Sequence, residues 1–503
     1  MITMSSKRVT PFHECGLVPP ENHSRRSCER IAEIAGLTDE SVCPTLVRKG
    51  LRFCGAVLLS CFLTVCRAQT PEFVSFASAQ PALAAMRDSL PPELRTGGPI
   101  TPAAWDKWVR KRDREIRARL EEGEELTLTN LLRLGVTYTK EARINYQDLD
   151  RYQRSGPVNS RAENRANDLI RALAAPRLGE GLLEMREFLE KKGFSLKTPE
   201  GRKKTEEYIL ACLARQRDSA ARTRQQAKVD PSQAFKDRGL STDSDLYPDY
   251  MIDRHLRNMM EKGLLKPGSV HRVAIAGPGL DFVNKKYSAD FYPPQTTQPF
   301  AVIDSLVRLR LADPASIEVY TFDISPRVNL HIERARENGA AGKPYTVQLL
   351  CSISEQWNPE YVASLRKYWQ RLGDHVGTPA TPIPVPAAVR ETIVNRAVSI
   401  RPEVVTRITP VDMNVVFQTL PLPPDQRFDL VIGTNIFLYY DALEQSLARA
   451  NLSAMIKAGG FLLSNSALAG AAPSKLVDSL KTSVLIADAP LFFDGMFSYV
   501  RQR

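Results

Sequence analysis

Beyond Gly268 the chain alternates between short apolar runs and longer stretches in which apolar residues return every three or four positions. A period near two reads as strand and a period near 3.6 as helix. The pattern predicts strands over 271–276, 317–322, 404–409, 428–434, 459–465, 481–487 and 494–501, with helices at about 299–311, 326–338, 441–457 and 473–480 between them. Such alternation predicts an α/β fold built on a mostly parallel sheet. One stretch, 354–396, interrupts the series. With Pro379, Pro382, Pro384 and Pro386 it is expected to be a surface excursion or a lid. From 101 to 266 the pattern is helical throughout. Thr101 followed by Pro102 predicts a helix start, and Trp105, Trp108, Ile116 and Leu120 recur at helical spacing. Further helices are expected at 161–174, 180–192, 200–228 and 248–263. Residues 69–100 carry Pro71, Pro81, Pro91, Pro92 and Pro99 and read as a linker.

The first 68 residues follow neither pattern. Residues 1–46 show no sustained hydrophobic period. Within 47–68, the basic stretch Val47–Arg52 precedes the apolar run Phe53–Val65, and Ala68 offers a small residue for cleavage. The run is shorter than the ~20 residues that span a bilayer, and its layout is that of a secretory signal. On this reading translation starts near Val47, residues 1–46 are a mis-assigned or disordered extension, and the mature chain is secreted or periplasmic. The alternative is a hydrophobic helix in a cytoplasmic protein. Six of the eight cysteines lie in the first 66 residues, with only Cys212 and Cys351 beyond, and no spacing matches a zinc site.

Composition narrows the class. Hydrophobic residues make up 43% of the 503 and charged residues 25%, which excludes wholesale disorder and a polytopic membrane protein. The net charge of +11 is spread along the chain. Arg and Lys are dense over 200–228, but a single aromatic residue, Tyr208, stands among them and none alternates with the basic positions. A solvated helix face is favoured over a phosphate-facing stripe, and no clear nucleic-acid signature emerges.

Candidate chemistry gathers at the ends of the predicted strands. The first runs into Gly277-Pro278-Gly279, a tight turn where backbone can approach a ligand. The second ends in Asp323-Ile324-Ser325-Pro326. An acid at that strand tip can grip ribose hydroxyls, and it can equally cap the following helix, as can Ser325. The fourth runs from Phe428 through Asn435, Tyr439, Tyr440 and Asp441, and a helix and Gly459-Gly460 follow. Asn435, Tyr439 and Tyr440 are the residues expected to face the cleft, with core packing favoured for at least one tyrosine. His331 is expected to be a surface or core residue rather than a base.

The segment Phe428–Asn465 resembles class I S-adenosylmethionine-dependent methyltransferases, most closely in the flavour of the chemotaxis-receptor enzymes. The Gly277/Gly279 loop and the Asp323-Ile324 turn match the family's first and second motifs, and Val411-Asp412-Met413 resembles the third. The resemblance covers about 268–503. It implies a Rossmann-like domain with a seven-stranded, mostly parallel sheet preceded by a mainly α-helical domain over 101–266. It also implies S-adenosylmethionine as cofactor. Gly277 and Gly279 would accommodate its amino-acid end, Asp323 and Ile324 the ribose, Asp412 and Met413 the adenine, and Asn435 the cleft. The methyl acceptor is unknown, no metal is implied, and Asn435 and Tyr439 are the candidates nearest the chemistry. Three departures stand out: Ile275 where the family carries an acid, Asp281 at the loop's third small position, and 44 residues between Gly279 and Asp323 against roughly 20 in a compact unit. The added length, Asn284–Pro299 with Tyr287, Tyr292 and Gln295, reads as a substrate-side flap or a structural loop. A non-catalytic, methyltransferase-like binding or scaffold protein outside the cytoplasm is the alternative. A nicotinamide-dependent oxidoreductase fits less well, because the third glycine of the dinucleotide fingerprint is absent.

Overall fold

Side-chain alternation along the central strand sets the architecture. In β1 (Arg272–Ala276), Val273 and Ile275 enter one core while Ala274 and Ala276 enter another, as a strand covered on both faces requires. The chain adds β2 (Glu318–Asp323), β3 (Ile408–Asp412), β4 (Phe428–Gly433), β5 (Ile456–Ser464), β6 (Leu476–Asp488) and β7 (Leu491–Arg501). Their spatial order is β6-β7-β5-β4-β1-β2-β3. Strands β3, β2, β1, β4 and β5 pair in parallel, and the hairpin of β6 and β7 closes the edge antiparallel to β5. This order defines the Rossmann-like class I methyltransferase fold, preceded by a mainly helical region. The computed structural model describes residues 70–95, 98–152, 157–229, 235, 239–242, 244–281, 290–352, 357–468, 474–488 and 491–503. The extension expected over 1–46 and the signal-like segment 47–68 lie outside the described residues.

The helices that position the site are α1 (Pro102–Leu134), α2 (Pro157–Leu173), α3 (Glu180–Lys191), α4 (Pro199–Val229), α5 (Leu246–Glu261), α6 (Gln298–Arg308), α7 (Pro326–Ala340), α8 (Pro359–Arg371) and α9 (Ala442–Met455). Helix α1 begins as its sequence predicts, with Thr101 Oγ1 accepting the amide of Ala104 at 3.2 Å and Pro102 in the first turn. Its 33 residues extend about 50 Å, long enough to serve two cores. The N-terminal half, through Trp105, Trp108, Val109 and Ile116, packs with α9 on one sheet face. The C-terminal half, through Leu128, Leu131 and Leu132, packs with α2, α3 and α4 in a helical bundle. Helices α5, α6, α7 and α8 cover the other sheet face. The regions expected as separate helical and α/β domains thus fall within one compact unit, Gln69–Arg503.

Four expectations give way to tertiary packing. The proposed linker is folded over residues 70–95. Glu72–Phe73 pairs antiparallel with Gln418–Thr419, the Trp105 indole N–H donates to the carbonyl of Val74 at 2.8 Å, and Ala79, Ala82 and Leu83 of helix Phe76–Ala85 are buried. The proposed excursion 354–396 is largely structured. Strands Tyr345–Ser352, Gly377–Ala380 and Ile393–Ile400 form an antiparallel three-stranded sheet, and α8 joins the main core through Tyr361, Leu365 and Tyr368. The strand expected at 404–409 lies at Ile408–Asp412, because Pro402 starts a helical turn over Pro402–Val405. Of the helix expected at 473–480, residues from Leu476 onward belong to β6, where cross-strand pairing with β7 outweighs the local proline signal.

Candidate active site

The sheet changes direction between β1 and β4: successive strands step outward through β2 and β3, then return to the other side of β1. Open α/β sheets bind ligands outside the carboxyl ends of their strands at this switch point. A cavity of about 390 Å³ lies there, lined by Gly277 and Gly279 after β1, Asp323 and Ile324 at the end of β2, Met413 after β3, and Thr434 and Asn435 after β4. Its volume lies in the range of small-molecule sites. Residues from before the sheet complete the wall: Leu120 from α1, Phe235, and Leu240, Ser241, Thr242, Ser244 and Asp245 on the approach to α5.

The glycine turn is required by geometry. Gly277 and Gly279 have φ of 66° and 70°, a left-handed backbone that costs other residues roughly 1–2 kcal/mol. A Cβ on Gly277 would stand 2.5 Å from Ile436 Cγ2, and one on Gly279 would stand 2.7 Å from the carbonyl oxygen of Thr242. That carbonyl accepts the amide of Leu280 at 2.6 Å, so the turn is closed against the segment leading into α5. Gly279→Ala is expected to destabilise the protein by at least about 1–2 kcal/mol. A denaturant midpoint equal to that of the parent would contradict the role given to this close approach.

Asp323 is 8% exposed. Its Oδ1 accepts the amide of Ser325 at 2.8 Å, and its own carbonyl accepts Asn329 Nδ2 at 2.9 Å. Burial pushes its carboxyl up to about 7; the neighbouring Asp412 adds to the rise, while the Ser325 and Gly279 amides and Arg327 oppose it. The capping and cavity-facing roles coexist: Ser325 caps α7, and Asp323 reaches the cavity.

Asp412 is placed otherwise than the resemblance implies. Its side chain is 56% exposed and paired with Arg117 Nη1 at 2.7 Å. It does not line the cavity, whereas its neighbour Met413 does. Asn435 is exposed and holds φ of 59°, a conformation non-glycine residues seldom adopt and one that gathers at functional sites. It is fixed by a reciprocal pair: its amide donates to Asn465 Oδ1 at 2.8 Å, and Asn465 Nδ2 donates to Asn435 Oδ1 at 2.6 Å. Both tyrosines line the cavity; Tyr440 is the more deeply buried, packed in the core beside α9, and burial pushes its hydroxyl upward. Tyr439 is half-buried on the cavity wall, edge-on to Phe235.

Other candidates are structural. His331 Nε2 lies 2.8 Å from the Tyr345 hydroxyl, and burial lowers the ring to about 4. Burial pushes the thiols of Cys212 and Cys351 up to about 11, the opposite of nucleophile activation. In the expected flap, Tyr287 lies outside the described residues. Tyr292 and Gln295 are held by Asp281, through the Tyr292 hydroxyl at 2.6 Å and Gln295 Nε2 at 3.0 Å. This gives Asp281 and the described part of the flap an anchoring role. Among the described residues no group of three or more His, Cys, Asp or Glu could hold a metal ion, and no helix is long and apolar enough to cross a membrane. Nothing in the sequence marks Leu120, Phe235, 240–242, 244 and 245 as cavity wall. An amphipathic pattern shows that a helix buries one face but not what it buries it against.

The donor set fits an adenosyl group: a buried carboxylate suited to a ribose diol beside the apolar Ile324, Met413 and Val415. No protein-family model matches the chain, and no curated protein matches it. Solved structures of methyltransferases are similar to about half of it. The N-methyltransferase NodS from Bradyrhizobium japonicum WM9 is 11% identical over 50% of this chain and 97% of its own, with a TM-score of 0.23. The magnesium protoporphyrin IX methyltransferase ChlM from Synechocystis PCC 6803 with bound S-adenosylmethionine is 11% identical over 56% and 97%, with a TM-score of 0.24. TrmN from Thermus thermophilus is 10% identical over 50% and 52%, with a TM-score of 0.23. At such values the strand order, and not these likenesses, defines the fold.

Proposed function

We propose that the chain binds S-adenosylmethionine in the cavity at the β1–β4 switch point and transfers its methyl group to an acceptor. One observation carries the reading: a positive-φ glycine turn and a buried carboxylate at the tip of the next strand meet in one cavity of suitable size. Asp323 accepts the ribose hydroxyls, and Ile324 and Met413 flank the adenine. Asp245 contributes a second carboxylate to the wall, in a chain where Ile275 occupies the family's usual acidic position. When bound, the cofactor supplies an electrophilic methyl group whose departure leaves a neutral thioether. Such a reaction asks the protein mainly to align the acceptor and exclude water. Asn435, held rigid by Asn465, and Tyr439 line the wall where an acceptor would be oriented.

A non-catalytic binding module is the second reading, favoured by Ile275 at the family's usual acidic position. Calorimetric titration of the purified chain with S-adenosylmethionine and S-adenosylhomocysteine is expected to give micromolar binding. No binding at millimolar ligand by a folded protein would remove the cofactor reading and leave a methyltransferase-shaped module.

A further inference from the structure

Residues 101–266 carry no catalytic motif of their own, but Arg117 ties them to the site. From the middle of α1 its Nη1 donates to Asp412 Oδ1 at 2.7 Å and to the carbonyl of Ile324 at 3.3 Å. Its Nε donates to Asp113 Oδ2 at 3.1 Å, and Nη2 approaches Gln418 Oε1 at 3.4 Å. Asp113 Oδ1 in turn accepts Asn414 Nδ2 at 2.8 Å, and Gln418 Oε1 accepts the amide of Asn414 at 2.8 Å. Asn414 is fully buried and Asp113 nearly so. The result is a closed ring of hydrogen bonds joining α1 to the turn after β2 and the turn after β3. Ile324 sits on the first turn and Met413 on the second, and both line the cavity.

We propose that Arg117 is a positioning residue of the cofactor site: from α1 it fixes the spacing of Ile324 and Met413, between which the adenine ring is held. The proposal rests on the S-adenosylmethionine reading above. Asp412 acts as an anchor for Arg117 and does not touch the ligand, which accounts for an acid at the family's third motif turning away from the cavity. An isolated surface ion pair is worth little. Here the guanidinium is also held by a buried carboxylate and a backbone carbonyl, so its geometry is set before ligand arrives, and preorganisation of this kind shows in affinity.

The test uses the full chain, with S-adenosylhomocysteine and its base-lacking analogue S-ribosylhomocysteine as probes. At pH 9, where Asp323 is ionised with or without the charges of Arg117 and Asp412, Arg117→Gln is expected to weaken S-adenosylhomocysteine about tenfold while leaving S-ribosylhomocysteine nearly unchanged, because the effect is then confined to the adenine slot. Asp412→Asn, at an exposed position where misfolding is not expected, should produce a smaller loss of the same kind. The double variant should bind no more weakly than Arg117→Gln alone, as the two partners of one ion pair are non-additive. Three results would overturn the proposal. The folded single variants could bind as the parent does. Both probes could weaken equally, which would mark a general loosening. The losses could multiply in the double variant, which would put Asp412 on the adenine itself. A parent chain that binds neither probe would overturn the cofactor reading and this proposal with it; a parent that binds while the variants match it overturns the proposal alone.

Discussion

Affinity for S-adenosylhomocysteine is expected to fall by up to tenfold for each pH unit below about 7, and Asp323→Asn is expected to flatten that dependence. The carboxyl of Asp323 is pushed up to about 7, chiefly by burial. Ribose hydroxyls donate hydrogen bonds, so the ligand favours the ionised form, and below that pH a proton must leave before it can bind. The asparagine variant keeps the shape and one acceptor but loses the charge. It should bind about 10–100-fold more weakly at pH 8, the range set by one hydrogen bond to a charged group. The same shift acts in the opposite sense on the ligand-free protein. An unfolded chain releases this proton near pH 4 and the folded one near 7, so the folded state holds more protons within that window. Stability contributed by the protonated acid is full below pH 4 and is lost as pH rises toward 7, by an amount on the order of 4 kcal/mol. Opposite pH trends for ligand affinity and for ligand-free stability, both removed by Asp323→Asn, would establish the group. A pH-independent affinity between 5 and 8 that Asp323→Asn leaves unchanged would show that Asp323 is not the acceptor.

Arg165→Met is expected to cost about 4 kcal/mol or more of stability. Arg165 is fully buried within the helical bundle. Its Nε donates to the carbonyl of Leu132 at 2.6 Å, Nη2 to that of Gly135 at 2.6 Å, and Nη1 to that of Glu141 at 2.7 Å. Two of these belong to the end of α1, where helical carbonyls have no partner within the helix. The guanidinium also lies over the Tyr138 ring, 5.6 Å from its centroid. Methionine fills similar volume but removes the donor to the carbonyls of Gly135 and Glu141, while that of Leu132 keeps only the Tyr138 hydroxyl at 2.8 Å. Arg165→Lys, which keeps the charge but not the planar fork, should recover only part of the loss. Urea unfolding followed by far-UV circular dichroism reads the difference. A loss below 1 kcal/mol for the methionine variant would mean that water replaces the guanidinium at the end of α1.

The legible parts of this protein are those in which pattern and chemistry sit in one short window. The run into Gly277-Pro278-Gly279 and the run ending at Asp323 each combine an apolar strand with a turn-forming or acidic residue at its end, and both stand where the sequence places them. Phe428 to Ser464 is similarly self-announcing. What the sequence hides are contacts across long separations. Arg117 and Asp412 are 295 positions apart, and no local window distinguishes an acid that meets a ligand from one that meets an arginine. Val74, Ala79 and Leu83 look like parts of a proline-rich linker until Phe417 and α9 are placed against them. Strand Tyr345–Ser352 was hidden differently. Its alternation of Tyr345, Val347, Leu349 and Cys351 is a period-two signal, masked by the proline-rich stretch that follows.

The pairing of Glu72–Phe73 with Gln418–Thr419 also sets a clock. The partners are separated by about 350 residues, which a ribosome adds in roughly 20–70 s at about 5–20 residues per second. Trp105 and Trp108, whose core includes Phe417, wait equally long. The early part of this chain emerges with its apolar surface uncovered and finds cover only after β3 has been made. The segment from Glu72 to Trp108 is thus among the earlier described parts to be made and among the last to be covered.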